Sequence, residues 1–222
     1  TGGYLFKVFQ ENYLLSGGRT GSSSLSGMDG RSYAGLMPGL VWANRMSFQY
    51  SWGPVRASYM AGGTEQWLSP RFNADMPRPS MDQTLMFALA APVKGLPINS
   101  RNGSAFLSAG TELRMAFSAL RSAIPVGSDF WRSLRLYGFA DAATVWNRGQ
   151  FLKNDSSLFP TQITQGPIRI DLDQSLSPFL WSWGLGIRAN VLGYSLRVDR
   201  AWPSENRKAL PPSWVISLGL DF

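Results

Sequence analysis

The chain has 222 residues, of which 44% are apolar and 16% charged, and its formal net charge is +7. It contains neither cysteine nor histidine, which excludes disulfides, thiolate metal sites and catalytic triads that need histidine. The best apolar run, residues 86–93, is far shorter than the roughly 18 residues of a membrane-spanning helix.

The positive charge is spread along the chain. A nucleic-acid-binding protein usually concentrates its basic residues on one face or one helix. Dispersed basic residues instead favour a basic lumen, or loops that face anionic lipid headgroups. We therefore expect no nucleic-acid partner.

Apolar and polar residues alternate along most of the chain, and this period of two indicates β-strands. The first 35 residues are predicted to contain one strand and a Gly/Ser-rich loop that includes "SGGRTGSSSLSGMDG". No helix is predicted. In chain order, the predicted strands cover residues 4–15, 40–52, 55–63, 82–92, 105–117, 132–146, 179–191, 194–202 and 213–222.

The two faces of these strands differ in chemistry. In the strand 105–117, Leu113 and Met115 share one face, whereas Glu112 and Arg114 share the other. Tryptophans recur on the apolar faces of 40–52 and 179–191. Apolar faces rich in aromatic residues and opposed to charged faces suit a barrel in lipid. We expect an all-β, antiparallel transmembrane β-barrel of the bacterial outer membrane, with a soluble sandwich as the alternative.

The number of predicted strands bears on the extent of this barrel. Nine is odd, whereas bacterial single-chain barrels usually close with an even number of strands. We therefore expect residues 1–222 to form an outer-membrane β-barrel domain that is the C-terminal part of a larger barrel. A self-contained barrel of about eight strands is the alternative. Residues 147–178 are predicted to form a long external loop, and 191–194 a short periplasmic turn.

The last ten residues, "SWVISLGLDF", alternate strictly between large apolar and small or polar side chains. We interpret the apolar set as the lipid-facing side of the closing strand. Such a C-terminal strand resembles the signal that the barrel-insertion machinery recognises. The residues of this predicted signal are Trp214, Ile216, Leu218, Leu220 and Phe222.

Several stretches are similar to a known family. "GFADAATVW" (138–146), "GLGIRANVLGYSLRVDRAW" (184–202) and the terminal "ISLGLDF" resemble the last strands of the surface-antigen superfamily, the barrels of Bam-type insertases and two-partner secretion transporters. "AGGTEQWLSPRF" and "RNGSAFLSAGTELRMAF" resemble more specifically the barrels that follow Tol-type β-propeller repeats. The resemblance covers about residues 55–222.

This resemblance implies a lock between a loop and the barrel wall. In the superfamily, an Arg-Gly-aromatic motif on a loop folded into the barrel meets the Asp of a Phe-x-Asp-x-Gly strand motif. The corresponding residues here are Lys94, Gly95, Phe139 and Asp141. Lys94 stands where the loop motif has Arg, and Ala143 stands where the strand motif has Gly. Since Lys cannot make the bidentate fork of Arg, a weaker lock is expected.

A pairing of Asp141 with a neighbouring strand, through Arg114 or Arg188, is an equal alternative to the lock. Further charges share the face that we assign to the lumen, where opposite charges on adjacent strands are expected to pair. An ion-selective pore is the alternative role for them. The main lumen charges are Glu112, Arg114, Arg188, Arg197 and Asp199.

The resemblance implies a non-enzymatic protein of the Gram-negative outer membrane. It would act in protein translocation or assembly, or anchor a periplasmic domain, and a passive diffusion pore with a basic lumen is the alternative. A lipid hydrolase is disfavoured because the sequence contains neither histidine nor a G-x-S-x-G motif. The expected partners are outer-membrane lipids, the barrel-insertion machinery, and a periplasmic propeller domain or other envelope proteins. No cofactor or metal is expected.

Overall fold

The computed structural model describes residues 2–15, 21–76, 78–81, 84–117, 129–147, 161–165, 168–172 and 177–220. One short helix, α1 (Asp129–Ser133), precedes β8. No helix in these ranges is long and apolar enough to cross a membrane. The strands are β1 (Gly3–Leu15), β2 (Gly21–Met37), β3 (Leu40–Trp52), β4 (Arg56–Ala61), β5 (Thr84–Ala91), β6 (Arg101–Gly103), β7 (Ala105–Ala116), β8 (Arg135–Trp146), β9 (Thr161–Gln165), β10 (Ile168–Leu172), β11 (Phe179–Val191), β12 (Tyr194–Glu205), β13 (Lys208–Ala209) and β14 (Ser213–Leu220).

Most strands belong to one large antiparallel sheet. Its order is β1-β2-β3-β7-β8-β11-β12, and β12 then pairs with both the two-residue β13 and β14. Between β3 and β7 the chain leaves this sheet, yet the two strands pair in register from Leu40↔Met115 to Tyr50↔Ala105. The residues between them, 53–104, are called the inner segment below.

The inner segment forms its own sheet, in the order β5-β4-β6, with β4 and β5 parallel. Its apolar side chains pack into one core with side chains from β2, β7, β8 and β11 of the large sheet. We define the inner face of the large sheet as the side that bears this core, and the outer face as the opposite side. The core includes Leu25, Tyr59, Leu96, Phe106 and Leu180.

Two of the predicted strands therefore lie in a different place from the one expected. Segments 55–63 and 82–92 do contain strands, β4 and β5, but their assignment to the barrel wall is wrong. A wall strand leaves one face exposed, whereas consecutive residues of β4, from Ala57 to Tyr59, are all buried. Burial on both faces suits the parallel pairing of β4 with β5. The alternation in the sequence is the same in both settings and cannot separate them.

The Gly/Ser-rich stretch also differs from its prediction, because residues 21–37 form the long strand β2 instead of a loop. Partners on both sides, β1 and β3, impose the extended conformation, which overrides the low strand propensity of Gly and Ser. Gly27 is required there, since a Cβ would lie 2.6 Å from the Phe9 ring and 2.7 Å from Gln49. The odd count of nine predicted wall strands thus included β4 and β5 and omitted β2.

The outer face carries the apolar side chains that the alternation predicted. On β11, Trp181, Trp183, Leu185 and Ile187 are exposed, whereas Ser182, Gly184 and Gly186 are buried. The fold is thus all-β with a large antiparallel sheet of two unlike faces. In the described part of the chain the sheet does not close, because β1 and β14 do not pair with each other.

The predicted external loop 147–178 contains the antiparallel pair β9–β10. The other end of β11 follows the prediction closely, since β11 and β12 are joined by a turn at Leu192 and Gly193, both with positive φ. Two consecutive residues of this conformation make the tight turn that joins twisted antiparallel strands.

Candidate functional site

The inner segment meets the large sheet, which we call the wall, at a buried charged cluster centred on Lys94. Lys94 is only 7% exposed. Its Nζ lies 3.2 Å from Asp141 Oδ2 on β8 and 3.4 Å from Glu112 Oε1 on β7. The structure therefore brings together Lys94 and Asp141, the pair that the resemblance implied.

Phe139 completes the environment of this ammonium group. Lys94 Nζ lies 4.0 Å from the centroid of the Phe139 ring, within the range of a cation–π interaction. Burial lowers the pKa of Lys94, but the negative charges of Asp141 and Glu112 outweigh it and hold the pKa above its ordinary value. Lys94 is therefore a protonated, paired cation at neutral pH.

Gly95 allows the inner segment to approach the wall closely. Its φ of +89° is in the left-handed region, which glycine adopts without strain. A Cβ at this position would lie 2.9 Å from Ala201 Cβ and 2.9 Å from Ser213 Oγ. The Ser213 hydroxyl also donates a hydrogen bond of 3.3 Å to the Gly95 carbonyl oxygen. The backbone next to Lys94 thus rests directly on β12 and β14.

The wall charges balance one another around Lys94. Glu112 accepts from Lys94 with one oxygen and from Arg114 with the other, at 2.7 Å from Arg114 Nη2. The alternative pairing of Asp141 with Arg114 or Arg188 is not the one observed, since Asp141 pairs with Lys94. Arg188 Nε instead donates to Ser195 Oγ at 2.7 Å.

Two further predicted lumen charges lie on β12. Asp199 is buried and accepts a hydrogen bond from the Tyr137 hydroxyl through Oδ1. Its other oxygen, Oδ2, has no hydrogen-bond partner among the described residues. Arg197 is two residues away on the same inner face and attracts both Asp199 and Glu112. Of the predicted lumen charges, Glu112 and Arg114 are linked to Lys94 through ion pairs, and Arg188, Arg197 and Asp199 lie on the same inner face.

Arg101 is a second anchor that the sequence did not identify. It is 0% exposed, and it pairs with Glu205 at the end of β12. Its Nη2 donates to Asn206 Oδ1 at 2.8 Å, and its Nε donates to the carbonyl oxygen of Ser177 at 3.1 Å. An arginine in "INSRNG" resembles any loop cation, so no sequence signal marks it as buried. Arg101 joins β6 to the end of the wall where β11 begins.

Asp29 is another inner charge that the prediction missed, because its segment was interpreted as a loop. Its Oδ1 lies 2.9 Å from Arg31 Nε, and its Oδ2 lies 3.1 Å from Arg45 Nε on β3. Arg45 also reaches Glu65 of the inner segment at 3.4 Å. A third contact between the inner segment and the wall thus involves β2 and β3.

The C-terminal residues Trp214, Ile216 and Leu218 are exposed on the outer face, and Val215 and Ser217 are buried on the inner face. Arg200 lies over the Trp214 ring, 4.9 Å from its centroid. The side chain of Leu220, and Phe222 with Asp221, lie outside the described residues. The alternation predicted for this strand is therefore present as far as it is described.

These residues can hold an inner segment against a sheet through buried ion pairs. Among the described residues, no group of three or more acidic, histidine or cysteine side chains could hold a metal ion. Comparison with protein-family models finds no match, and comparison with curated proteins finds no similar protein.

Proposed function

We propose that this chain is a β-barrel component of the outer membrane of a Gram-negative bacterium, acting in protein translocation or assembly, or anchoring a periplasmic domain. The observation that carries the proposal is the sheet with unlike faces. Its outer face exposes aromatic and aliphatic side chains, while its inner face binds the inner segment through the buried Lys94 pair.

The positions of the exposed tryptophans support a membrane location. Trp42 and Trp52 both lie on the outer face, near the two ends of β3. Ten residues of strand span about 34 Å, and a strand tilted by about 40° then covers about 25 Å, the height of the apolar band of outer-membrane barrels. Trp183 and Trp202 stack on the same face with centroids 4.8 Å apart. Such aromatic residues are typical of membrane interfaces.

The contacts of the inner segment favour a pore that is closed at rest over a passive pore that is always open. Its core with the wall buries Tyr59 and Leu96, and Lys94 and Arg101 hold it through buried charge pairs. Separating these contacts would expose apolar surface and leave buried charges unpaired. A protein of this kind would conduct ions only when the inner segment moves.

Conductance in a planar lipid bilayer tests this proposal. We expect the wild-type chain to be closed most of the time and Lys94→Met to show more frequent openings. Lys208→Met, the same change at an exposed residue of β13, is the matched control and should behave as the wild type. Steady conductance of the wild type, unchanged in Lys94→Met, would instead favour the passive pore.

The role in assembly needs a separate measurement. The chain would be isolated from native membranes in mild detergent, and its bound proteins and intact mass determined. An unfolded outer-membrane barrel protein would also be mixed with vesicles that contain the chain. Faster folding than with empty vesicles supports assembly, and a stable complex with a periplasmic domain supports anchoring. If neither occurs, both roles are contradicted.

A further inference from the structure

A short piece of the inner segment pairs with the edge of β14 that faces away from β12. β14 pairs with β12 on one side, and on the other side Trp67 forms an antiparallel bridge with Ser217. The Leu68 N–H donates to the Ile216 carbonyl at 2.9 Å, and the Leu218 N–H donates to the Gln66 carbonyl at 3.1 Å. Residues 66–68, which we call the edge strap, thus bind as a further short strand.

β14 is shaped to receive this strap. Gly219 has no side chain, and the Gln66 amide fills the space that a side chain would need. A Cβ at Gly219 would lie 1.6 Å from Gln66 Oε1, so any larger residue would displace the amide. Gln66 itself has a positive φ of 58°, a conformation that costs free energy for a residue other than glycine. The surrounding contacts must therefore stabilise the strap.

Among the described strands, the other outermost strand of the large sheet is β1. Each neighbouring pair along the sheet, from β1–β2 to β12–β14, is antiparallel. Over these eight strands, β1 and β14 consequently run in opposite directions and could pair as an antiparallel ladder. The strap is also antiparallel to β14, so it runs in the direction that β1 would take there.

A β1 strand that paired with β14 would need the backbone groups that the strap now binds. The Ile216 carbonyl and the Leu218 N–H bind residues 66–68, and a closing strand would need the same edge. Unpaired groups on a sheet edge attract another strand and must be satisfied. One occupant therefore excludes the other.

From this geometry we infer that residues 66–68 are a displaceable strap that keeps the large sheet open, and that β1 takes their place on β14 when they are released. The strap then couples the position of the inner segment to closure of the wall. This inference concerns the strand edges alone, so it stands whether or not the protein acts in assembly.

Disulfide trapping in the full chain tests the competition, because the chain contains no cysteine and only introduced thiols can react. Trp67 and Ser217 form a pair without mutual backbone hydrogen bonds, since the bonds join their neighbours. This is the arrangement in which facing side chains are closest. Trp67→Cys with Ser217→Cys reports the strap. Ser217→Cys combined in turn with Lys7→Cys, Phe9→Cys or Glu11→Cys reports closure by β1.

The competition predicts opposite changes in the two crosslinks. The strap crosslink should dominate in the otherwise unchanged chain. Gly219→Ala should lower its yield severalfold and raise the yield of one β1 crosslink. Gly138→Ala is the matched control in the same sheet, because its Cβ would meet nothing closer than 3.6 Å, and it should change neither yield.

A second variant releases the strap without altering β14, so that the test does not depend on whether Gly219→Ala folds. Leu68→Pro removes the N–H that binds the Ile216 carbonyl without changing β14, and it should shift the crosslinks in the same direction. Circular dichroism checks that each variant retains its strands. The inference is overturned if the strap crosslink does not form, or if the folded release variants lose it without any gain of a β1 crosslink.

Discussion

The ammonium group of Lys94 lies 3.2 Å from the carboxylate of Asp141, although the two residues are 47 positions apart in the chain. Lys94 belongs to the inner segment and Asp141 to β8 of the wall. This pair therefore connects the inner segment to the large sheet through side chains. Its strength should govern how firmly the inner segment is held.

Removing either partner of this pair should be costly. Lys94→Met and Asp141→Asn should each lower the free energy of unfolding by about 3–5 kcal/mol, because a buried charge loses its nearest partner. The double variant should lose less than the sum, with a coupling of about 0.5–3 kcal/mol. Urea unfolding in detergent measures these values. Additive losses would contradict a direct interaction, and Lys208→Met should change stability by less than about 0.5 kcal/mol.

The stability that Arg101 contributes should depend on the shape of its guanidinium group as well as on its charge. Arg101→Lys keeps the charge but cannot satisfy Glu205, Asn206 and the Ser177 carbonyl together. We expect a loss of about 2 kcal/mol or more, on the scale of one broken buried charge contact. Hydrogen exchange should become faster in β6 and at the end of β12. Arg207→Lys, the same change at an exposed residue, is the control, and equal effects of the two would refute a special role for Arg101.

Alkaline pH should weaken the inner segment through Tyr59. Burial raises the pKa of Tyr59 from 10.0 to about 12. The pKa of Tyr59 is higher in the folded state than in the unfolded state. The stability that Tyr59 contributes is therefore fully present below pH 10.0 and is lost as the pH rises through about 12. Tyr59→Phe should therefore flatten the fall in unfolding free energy over this pH range. A slope that is independent of Tyr59 would contradict the prediction.

A charge on the outer face distinguishes a lipid-facing surface from an ordinary exposed one. Leu185, in the middle of β11, is 61% exposed, and Leu192, in the β11–β12 turn, is 94% exposed. If the outer face contacts lipid, Leu185→Arg should cost about 2–4 kcal/mol and Leu192→Arg about 0–1 kcal/mol. Folding into lipid vesicles, followed by protease protection, measures the difference. Equal insertion of the two variants would count against a membrane location.

Part of this structure followed from the sequence. The alternation over 179–191 predicted β11 with its observed bounds, and that of the last residues predicted the outward side chains of β14 from Trp214 to Leu218. These features depend on the two-residue period of a strand, which is a local property of the chain. The contact between Lys94 and Asp141 came instead from the resemblance to a family, because no local pattern joins them.

The tertiary structure decided which strands form the wall and which are enclosed. β4 alternates like a wall strand but is buried on both faces, whereas the Gly/Ser-rich β2 becomes a wall strand through its pairing with β1 and β3. Arg101, Asp29 and the edge strap gain their roles from partners that are distant in sequence. Alternation fixes only which side chains share a face. What covers that face depends on long-range pairing, and a two-residue period carries no information about such pairing.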